Sequence, residues 1–98
     1  MANHFGDRIR ELRIKQQLLL RQVASKLEVD TSIISKVERG ERILKKEQIG
    51  KLSDILKAKY EELLMLWLAD QVHEILKNEL GAVEVLKLVG NKLKEANK

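Results

Sequence analysis

The chain has 98 residues, of which 19 are Lys or Arg and 15 are Asp or Glu, so its formal net charge is +4. It contains no Cys, no Pro, five Gly and 3% aromatic residues, which excludes disulfides and cysteine-ligated metals and predicts one small all-α domain with an aliphatic core. No apolar run approaches the length of a membrane span and the N-terminus lacks a signal-peptide core, so we expect a cytoplasmic protein.

The spacing of the apolar residues predicts six helices in chain order. They cover residues 4–16, 19–27, 31–39, 46–57, 60–79 and 82–95. Asp30 is a suitable N-cap for the third helix, and Gly40 is a suitable stop after it. Five helices fit into about the first 70 residues with short connections, and no linker separates two domains.

The second helix begins without the polar N-cap that most helices have, because three leucines occupy residues 18–20. If Leu19 is the N-cap position, Leu18 and Val23 are spaced as a hydrophobic staple, and the Gln22 side chain can reach back to the Leu19 backbone N–H. We expect these two devices to replace the missing oxygen, whose loss costs about 0.5–2 kcal/mol. The alternative is that the leucines simply extend the core.

The third helix is predicted to have two different faces. Ile34 and Val37 point inward, and the small Ala24 on the second helix allows the two helices to cross closely. The opposite face carries hydrogen-bonding and cationic side chains, which are Thr31, Ser32, Ser35, Lys36 and Arg39. Such a helix can enter the major groove of DNA, where base edges present donors and acceptors.

Residues 60–80 carry more apolar surface than one contact can bury. One broad stripe contains Tyr60, Leu63, Leu64, Trp67, Leu68, Val72, Ile75 and Leu76. We expect the first half of the fifth helix to close the core and the sixth helix to fold back on the remainder. Enough surface remains to predict a homodimer through Trp67, Val72, Ile75 and Leu76. The alternative is a monomer in which the sixth helix covers everything.

Charge is unevenly distributed along the chain. Residues 1–60 have a net charge of +6, whereas residues 61–98 have a net charge of −2. The basic part indicates a polyanion partner such as nucleic acid, with a solvated basic surface as the alternative. His4 and His73 are too isolated to form a metal site, so we expect no metal and no cofactor. No cluster of His, carboxylates and nucleophiles indicates an enzyme.

The segment LRQVASKLEVDTSIISKVERG, residues 20–40, resembles the helix-turn-helix of the phage-repressor-like (Xre) family of bacterial transcriptional regulators. The spacing of Ala24, Ile34, Val37, Glu38 and Gly40 carries this resemblance, which runs from about Phe5 to Leu68. FGDRIRELR is similar to the family's first helix, and ISKVERGER to its recognition helix and exit. The resemblance implies a five-helix DNA-binding domain over residues 1–68 and a helical extension over residues 69–98 that continues the fifth helix.

The resemblance also implies roles for individual residues. Thr31, Ser32 and Lys36 face base edges, and Lys suits the acceptors of guanine. Other side chains lie near phosphates, where they position the domain without reading sequence; these are Arg21, Gln22, Ser35, Arg39 and Arg42. Arg13 and Glu38 form a buried ion pair, for which two unrelated surface charges are the alternative.

The sequence departs from the family pattern in three places. Glu28 occupies a turn position usually held by Gly, where a left-handed conformation costs another residue about 1–2 kcal/mol. Leu44 replaces the usual Pro before the fourth helix. Leu19 and Leu20 replace a Thr cap and a Gln that contacts phosphate, so Arg21 becomes the nearest candidate for that contact.

These features together predict a sequence-specific transcriptional regulator that binds double-stranded DNA as a homodimer on a partly palindromic operator. Two other functions stay open. One is an antitoxin or a restriction–modification controller whose extension contacts a protein partner. The other is a helical protein-interaction module that does not bind DNA.

Overall fold

The computed structural model describes residues 3–97, and within them the chain forms six α-helices and no strand. The helices are α1 (His4–Lys15), α2 (Leu20–Leu27), α3 (Thr31–Glu38), α4 (Lys46–Leu56), α5 (Tyr60–Leu76) and α6 (Ala82–Ala96). The predicted all-α fold is therefore confirmed. None of these helices is long and apolar enough to cross a membrane within the described range.

Helices α1 to α5 pack around one aliphatic core. Its most deeply buried side chains are Ile9, Val23, Ala24, Ile34, Ile49, Leu52, Leu56 and Leu63, each at most 1% exposed. Phe5 is the only aromatic residue among the core's fully buried hydrophobics within residues 3–97. The low aromatic content of the sequence is thus matched by a core of branched aliphatic side chains.

The first four helices all end in a left-handed residue, although only one of these residues is glycine. Gln17, Glu28, Gly40 and Lys57 have φ values of 58°, 64°, 77° and 55°. After each of them, the next backbone N–H bonds a carbonyl five residues earlier, as Val29 does to Ala24. This bond satisfies a carbonyl that the helix end leaves free. The left-handed conformation expected of Glu28 in the turn after α2 is confirmed.

Two helices lack a polar N-cap residue and begin instead with a glutamine whose side chain bonds the backbone N–H of the N-cap residue. Gln22 Oε1 accepts the Leu19 N–H at 2.7 Å, and Gln48 Oε1 accepts the Lys45 N–H at 2.8 Å. The predicted role of Gln22 at the start of α2 is therefore confirmed, and the same device compensates for the missing cap before α4. Asp30 is the N-cap residue of α3, but its side chain accepts no hydrogen bond there.

The N-terminus of α1 is capped by a residue of α5. The Asp70 carboxylate accepts the His4 N–H at 3.1 Å and the Phe5 N–H at 2.9 Å. These are free N–H groups of a helix N-terminus, where a negative charge is also favoured by the helix dipole. Asp70 lies beyond the boundary predicted at residue 68, so the first residues of the extension also hold the domain together.

The extension departs from the expected packing. Helix α6 buries none of its residues, so the expectation that it folds back over the remainder of α5 is wrong. At the junction, α5 ends at Leu76 and the chain turns through Gly81 at a φ of 79°. Residues of α5 and α6 line a common groove near this turn, and the large apolar residues of α6 remain exposed.

Candidate nucleic-acid interface

Helix α3 has the two-faced character that its sequence predicts. Ile34 and Val37 are 1% and 2% exposed and belong to the core, whereas Thr31, Ser32 and Lys36 are all exposed. The structure therefore brings the three predicted base-contacting residues together on one solvent-facing surface. This surface combines two hydroxyls with one cation, and all three groups can bond base edges or phosphates.

Helix α2 holds α3 in place from behind. Val23 and Ala24 are each 1% exposed and lie where α2 packs on α3. Ala24 contributes a single methyl group to this contact, which keeps the two helices close. The connection between them consists of three residues, Glu28 to Asp30. This arrangement is a helix-turn-helix.

The end of α3 is fixed to α1 by an ion pair. Arg13 donates from Nε and Nη2 to the two carboxylate oxygens of Glu38, at 2.7 and 3.1 Å, and from Nη1 to the Leu18 carbonyl at 3.0 Å. The Arg13 and Glu38 side chains are 13% and 7% exposed. The hydrogen bond with Glu38 raises the pKa of the Arg13 guanidinium above its ordinary value. The predicted ion pair between Arg13 and Glu38 is therefore present, and the alternative of two unrelated surface charges is not.

An uncharged hydrogen bond from Asn3 also holds the same end of α3 against α1. Asn3 Nδ2 donates to the Glu38 carbonyl at 2.8 Å. Gly6 lies so close that an added Cβ would be 2.5 Å from the Val37 carbonyl oxygen and 2.8 Å from that of Glu38. Only glycine allows α1 to approach α3 this closely. The orientation of the exposed α3 face is thus set by α1 as well as by α2.

The predicted phosphate-contacting residues surround this face, but some of their side chains already have hydrogen-bond partners within the protein. Arg21 and Arg42 are exposed. Gln22 is exposed too, but its Oε1 is used at the start of α2, which leaves its amide as the group able to donate to a phosphate. Arg39 bonds the Ser35 hydroxyl and the Glu41 carboxylate. These contacts are half exposed, so they hold Arg39 only weakly against a competing phosphate.

The predicted dimer residues do not share one face. Trp67 is partly buried against the core, and its indole Nε1–H donates to the Leu44 carbonyl at 2.9 Å. Val72 and Ile75 are 42% and 74% exposed on the outer side of α5. Leu76, partly exposed, lines a groove with Val72. The structure therefore gives Trp67 a contact inside the domain and leaves the other three on the surface.

Sequence reasoning missed three residues that hold the site together, namely Asn3, Gly6 and Asp70. Each acts on a backbone group of a distant segment, with sequence separations of 35 for Asn3 to Glu38 and 65 for Asp70 to Phe5. Gly6 in the first turn of a helix was a detectable signal, because glycine is unfavourable in helices unless close packing requires it. Within residues 3–97, no three metal-ligating side chains converge.

Comparisons with known proteins agree with this architecture. A helix-turn-helix domain family model matches residues 4–66. The uncharacterized HTH-type transcriptional regulator RghRB of Bacillus subtilis (strain 168) is 39% identical over 61 residues, which are 61% of this chain and 44% of that protein. The match therefore spans less than half of the relative.

Two solved structures are also similar. The restriction-modification controller protein C.AhdI from Aeromonas hydrophila is 35% identical with a TM-score of 0.59, covering 63% of this chain and 94% of that one. A chain of the SinR protein/SinI protein complex is 21% identical with a TM-score of 0.55, covering 94% and 98%, and at this identity the likeness shows the fold alone. On these matches, the chain belongs to the helix-turn-helix domain family, which agrees with the resemblance of its sequence to the phage-repressor-like (Xre) family.

Proposed function

We propose that this protein is a transcriptional regulator that binds double-stranded DNA sequence-specifically by inserting α3 into the major groove. The observation that carries this proposal is the exposed face of Thr31, Ser32 and Lys36 on a helix whose other face is buried. A major groove about 12 Å wide admits one helix, and its base edges offer acceptors to all three side chains.

Arg21, Gln22, Ser35, Arg39 and Arg42 flank this face and serve as phosphate contacts in the proposal. The charge distribution supports them, because residues 1–68 carry the whole net charge of +4 and residues 69–98 are neutral. Such contacts provide affinity and register, whereas the base edges provide specificity.

The protein acts as a homodimer on a partly palindromic operator in this proposal. One short recognition helix reads only a few base pairs, and repressor-like domains reach specificity by placing two such helices about 34–36 Å apart. The exposed surface that includes Val72, Ile75 and Leu76 is away from α3 and supplies apolar area for dimerisation. Trp67 contributes less to this contact in the proposal, because it is partly buried against the core and its indole N–H bonds the Leu44 carbonyl.

A second function is favoured by one specific observation. The controller protein C.AhdI is 35% identical, and 94% of its chain is matched. Control of a restriction–modification system, or a role as an antitoxin with a protein partner, would use the same DNA-binding surface. The match covers 63% of this chain, so about a third of the chain is left over to contact such a partner.

Selection of random DNA fragments by the purified protein, followed by sequencing, tests the proposal. The expected result is one enriched motif with two inverted half-sites centred about one duplex turn apart. Affinity for a selected fragment should fall steeply as salt is raised, because bound phosphates release counterions. A protein-interaction module without DNA binding would enrich no motif and show no such salt dependence, which would refute the proposal.

A further inference from the structure

A cavity of about 370 Å³ lies where the loop after α3 meets the N-terminus of α1 and residues 67–74 of α5. Its volume falls within the range of about 300–1,000 Å³ that is typical of small-molecule sites. The apolar part of its lining consists of Phe5, Val37, Ile43 and Trp67. Ile43 is 63% exposed, so an occupant would bury an apolar side chain that the single chain leaves in water.

The cavity is separate from the base-reading face of α3. Thr31, Ser32 and Lys36 do not line it. The only residue that it shares with the proposed DNA-binding surface is Arg42, which belongs to the wall formed by residues 40–43. The cavity is therefore a second concave surface of the domain, and contacts with DNA bases do not account for it.

The uncharged side-chain donors in the lining already donate within the protein. Asn3 Nδ2 bonds the Glu38 carbonyl at 2.8 Å, and Trp67 Nε1 bonds the Leu44 carbonyl at 2.9 Å. Gln71 Nε2 donates to the Trp67 carbonyl at 3.2 Å. These bonds leave the amide oxygens of Asn3 and Gln71 as acceptors with unused capacity. The polar part of the lining is therefore rich in acceptors, and it favours an occupant that donates hydrogen bonds.

The charge of the lining is negative, although the chain as a whole is positive. Glu41, Asp70 and Glu74 contribute three carboxylates, and Arg42 contributes one guanidinium, which gives a net charge of −2. The whole chain has a net charge of +4. An anion would be repelled by this lining, whereas a cation would be attracted to it.

The three carboxylates remain able to bind a ligand. Glu74 pairs with Lys77 at 2.7 Å, and Glu41 pairs with Arg39. Exposed pairs of this kind hold their partners only weakly. The Asp70 oxygens accept two backbone N–H groups of α1, but a carboxylate offers about four lone-pair sites in total. Each carboxylate can therefore accept a further hydrogen bond.

We propose that this cavity binds a small organic cation in which an ammonium or guanidinium group is attached to a compact apolar body. The cationic group donates to the carboxylates and to the amide oxygens of Asn3 and Gln71. The apolar body lies against Ile43 and Trp67, where it replaces water. A neutral molecule of the same shape lacks the attraction to the charged lining, and an anion is repelled by it.

The test titrates the full chain with three probes that carry a phenyl group, namely phenethylamine as the cation, phenethyl alcohol as the neutral molecule and phenylacetate as the anion. Binding is followed by heteronuclear NMR of the isotope-labelled protein. We expect phenethylamine to bind saturably with a Kd of about 1 mM, at least about tenfold more tightly than the other two probes. The largest shifts should belong to the indole N–H of Trp67 and the amides of residues 40–43.

A double variant and a matched control locate the site. Gln71→Leu combined with Glu74→Gln removes one amide oxygen and one negative charge from the lining. Glu61→Gln removes the same charge from an exposed residue of the same helix that does not line the cavity. The double variant should weaken phenethylamine binding at least about tenfold, whereas the control should stay within about twofold of the parent. The NMR spectra of the free variants show whether each one is folded.

Three results would overturn the proposal. Shifts that do not saturate by about 10 mM phenethylamine would mean that no site of the expected affinity exists. Equal or tighter binding of phenethyl alcohol or phenylacetate would refute the selectivity for a cation. Equal affinities of the double variant and the Glu61→Gln control would place binding outside this cavity.

The titrations contain no DNA, so their outcome is independent of the proposed function. A chain that binds phenethylamine in the cavity but enriches no DNA motif would support the cation site and refute sequence-specific binding. A chain that enriches one motif but does not bind the amine would refute the cation site and leave DNA recognition intact.

Discussion

Arg13 and Glu38 face each other at the junction of α1 and α3, joined by two hydrogen bonds of 2.7 and 3.1 Å and largely shielded from water. Arg13 also bonds the Leu18 carbonyl, so one guanidinium connects α1, the loop that follows it and the end of α3. Any change in this pair should therefore affect the position of the α3 surface.

Removing either partner should destabilise the fold strongly. Arg13→Ala leaves the Glu38 carboxylate without its counter-charge in a shielded site, and Glu38→Ala does the same to the guanidinium, at a cost of about 3–5 kcal/mol each. Urea denaturation of both variants and of the double variant measures this. The double variant should be much more stable than the sum of the two losses implies. Additive losses below about 1 kcal/mol would mean that the pair contributes as a surface pair does.

Lys36 and Arg42 should respond differently to DNA sequence. Lys36→Ala should reduce discrimination between operator variants at one base pair by about 1–3 kcal/mol, since a base contact is lost. Arg42→Ala should weaken binding to all DNA sequences alike. It should also reduce the slope of log affinity against log salt concentration by about one, because one phosphate contact is lost. Titration of an operator and its single-base variants at several salt concentrations separates the two effects. Uniform weakening by Lys36→Ala would contradict its assignment as a base reader.

The turn after α2 should become more stable when its left-handed residue is glycine. Glu28 has a φ of 64°, and relief of about 1–2 kcal/mol of strain exceeds the extra entropy of an unfolded glycine, which is about 0.5–1 kcal/mol. Glu28→Gly should therefore raise the free energy of unfolding by about 0.5–1 kcal/mol. Glu28→Ala keeps the strain and is the control, which should change little. A loss of stability in Glu28→Gly would be the contrary result.

Two glycines should respond in opposite directions to the same substitution. Gly6→Ala places a Cβ against the Val37 and Glu38 carbonyls, and such overpacking should cost about 1–3 kcal/mol. Gly50→Ala meets only a ring atom of Tyr60 at 4.0 Å and should gain up to about 1 kcal/mol from helix propensity. Thermal unfolding of the two variants compares them directly. Equal effects would show that the α1–α3 approach adapts easily.

The point of truncation should matter at the start of the extension. A chain ending at residue 68 lacks Asp70 and hence the cap on α1, whereas a chain ending at residue 74 keeps it. Both lack α6 and should be monomeric. The longer one should be more stable by about 0.5–2 kcal/mol, the typical value of a helix cap. Urea melts of the two fragments measure the difference, and identical midpoints would show that Asp70 does not stabilise α1.

The sequence predicted the features that depend on residues close to one another along the chain. Apolar spacing placed all six helix starts within one residue, as for α3 at Thr31, because helical periodicity is a local property. Gln22 was predicted to cap its own helix three residues away. The Arg13–Glu38 pair followed from the family resemblance, and the structure contains it.

Other features were beyond sequence reasoning because they depend on distant segments. Asp70 caps a helix 65 residues away, and nothing in its own surroundings distinguishes it from an ordinary surface acid. Lys57 and Gln17 adopt left-handed conformations that neither residue type favours. The stripe on α5 was predicted as one face, but the structure divides it, with Trp67 turned inward and Ile75 outward. Periodicity identifies apolar residues without showing which of them the fold covers.

Trp67 gives the molecule a built-in optical probe. It is the only tryptophan in the chain, and its bond to the Leu44 carbonyl connects it to the loop between α3 and α4, where Arg42 lies. Its fluorescence therefore reports the state of the DNA-facing side in unlabelled protein. The only tyrosine begins α5, and α6 contains no aromatic residue, so events confined to the last helix leave the emission unchanged. A change in the Trp67 emission can thus be assigned to the domain formed by α1 to α5.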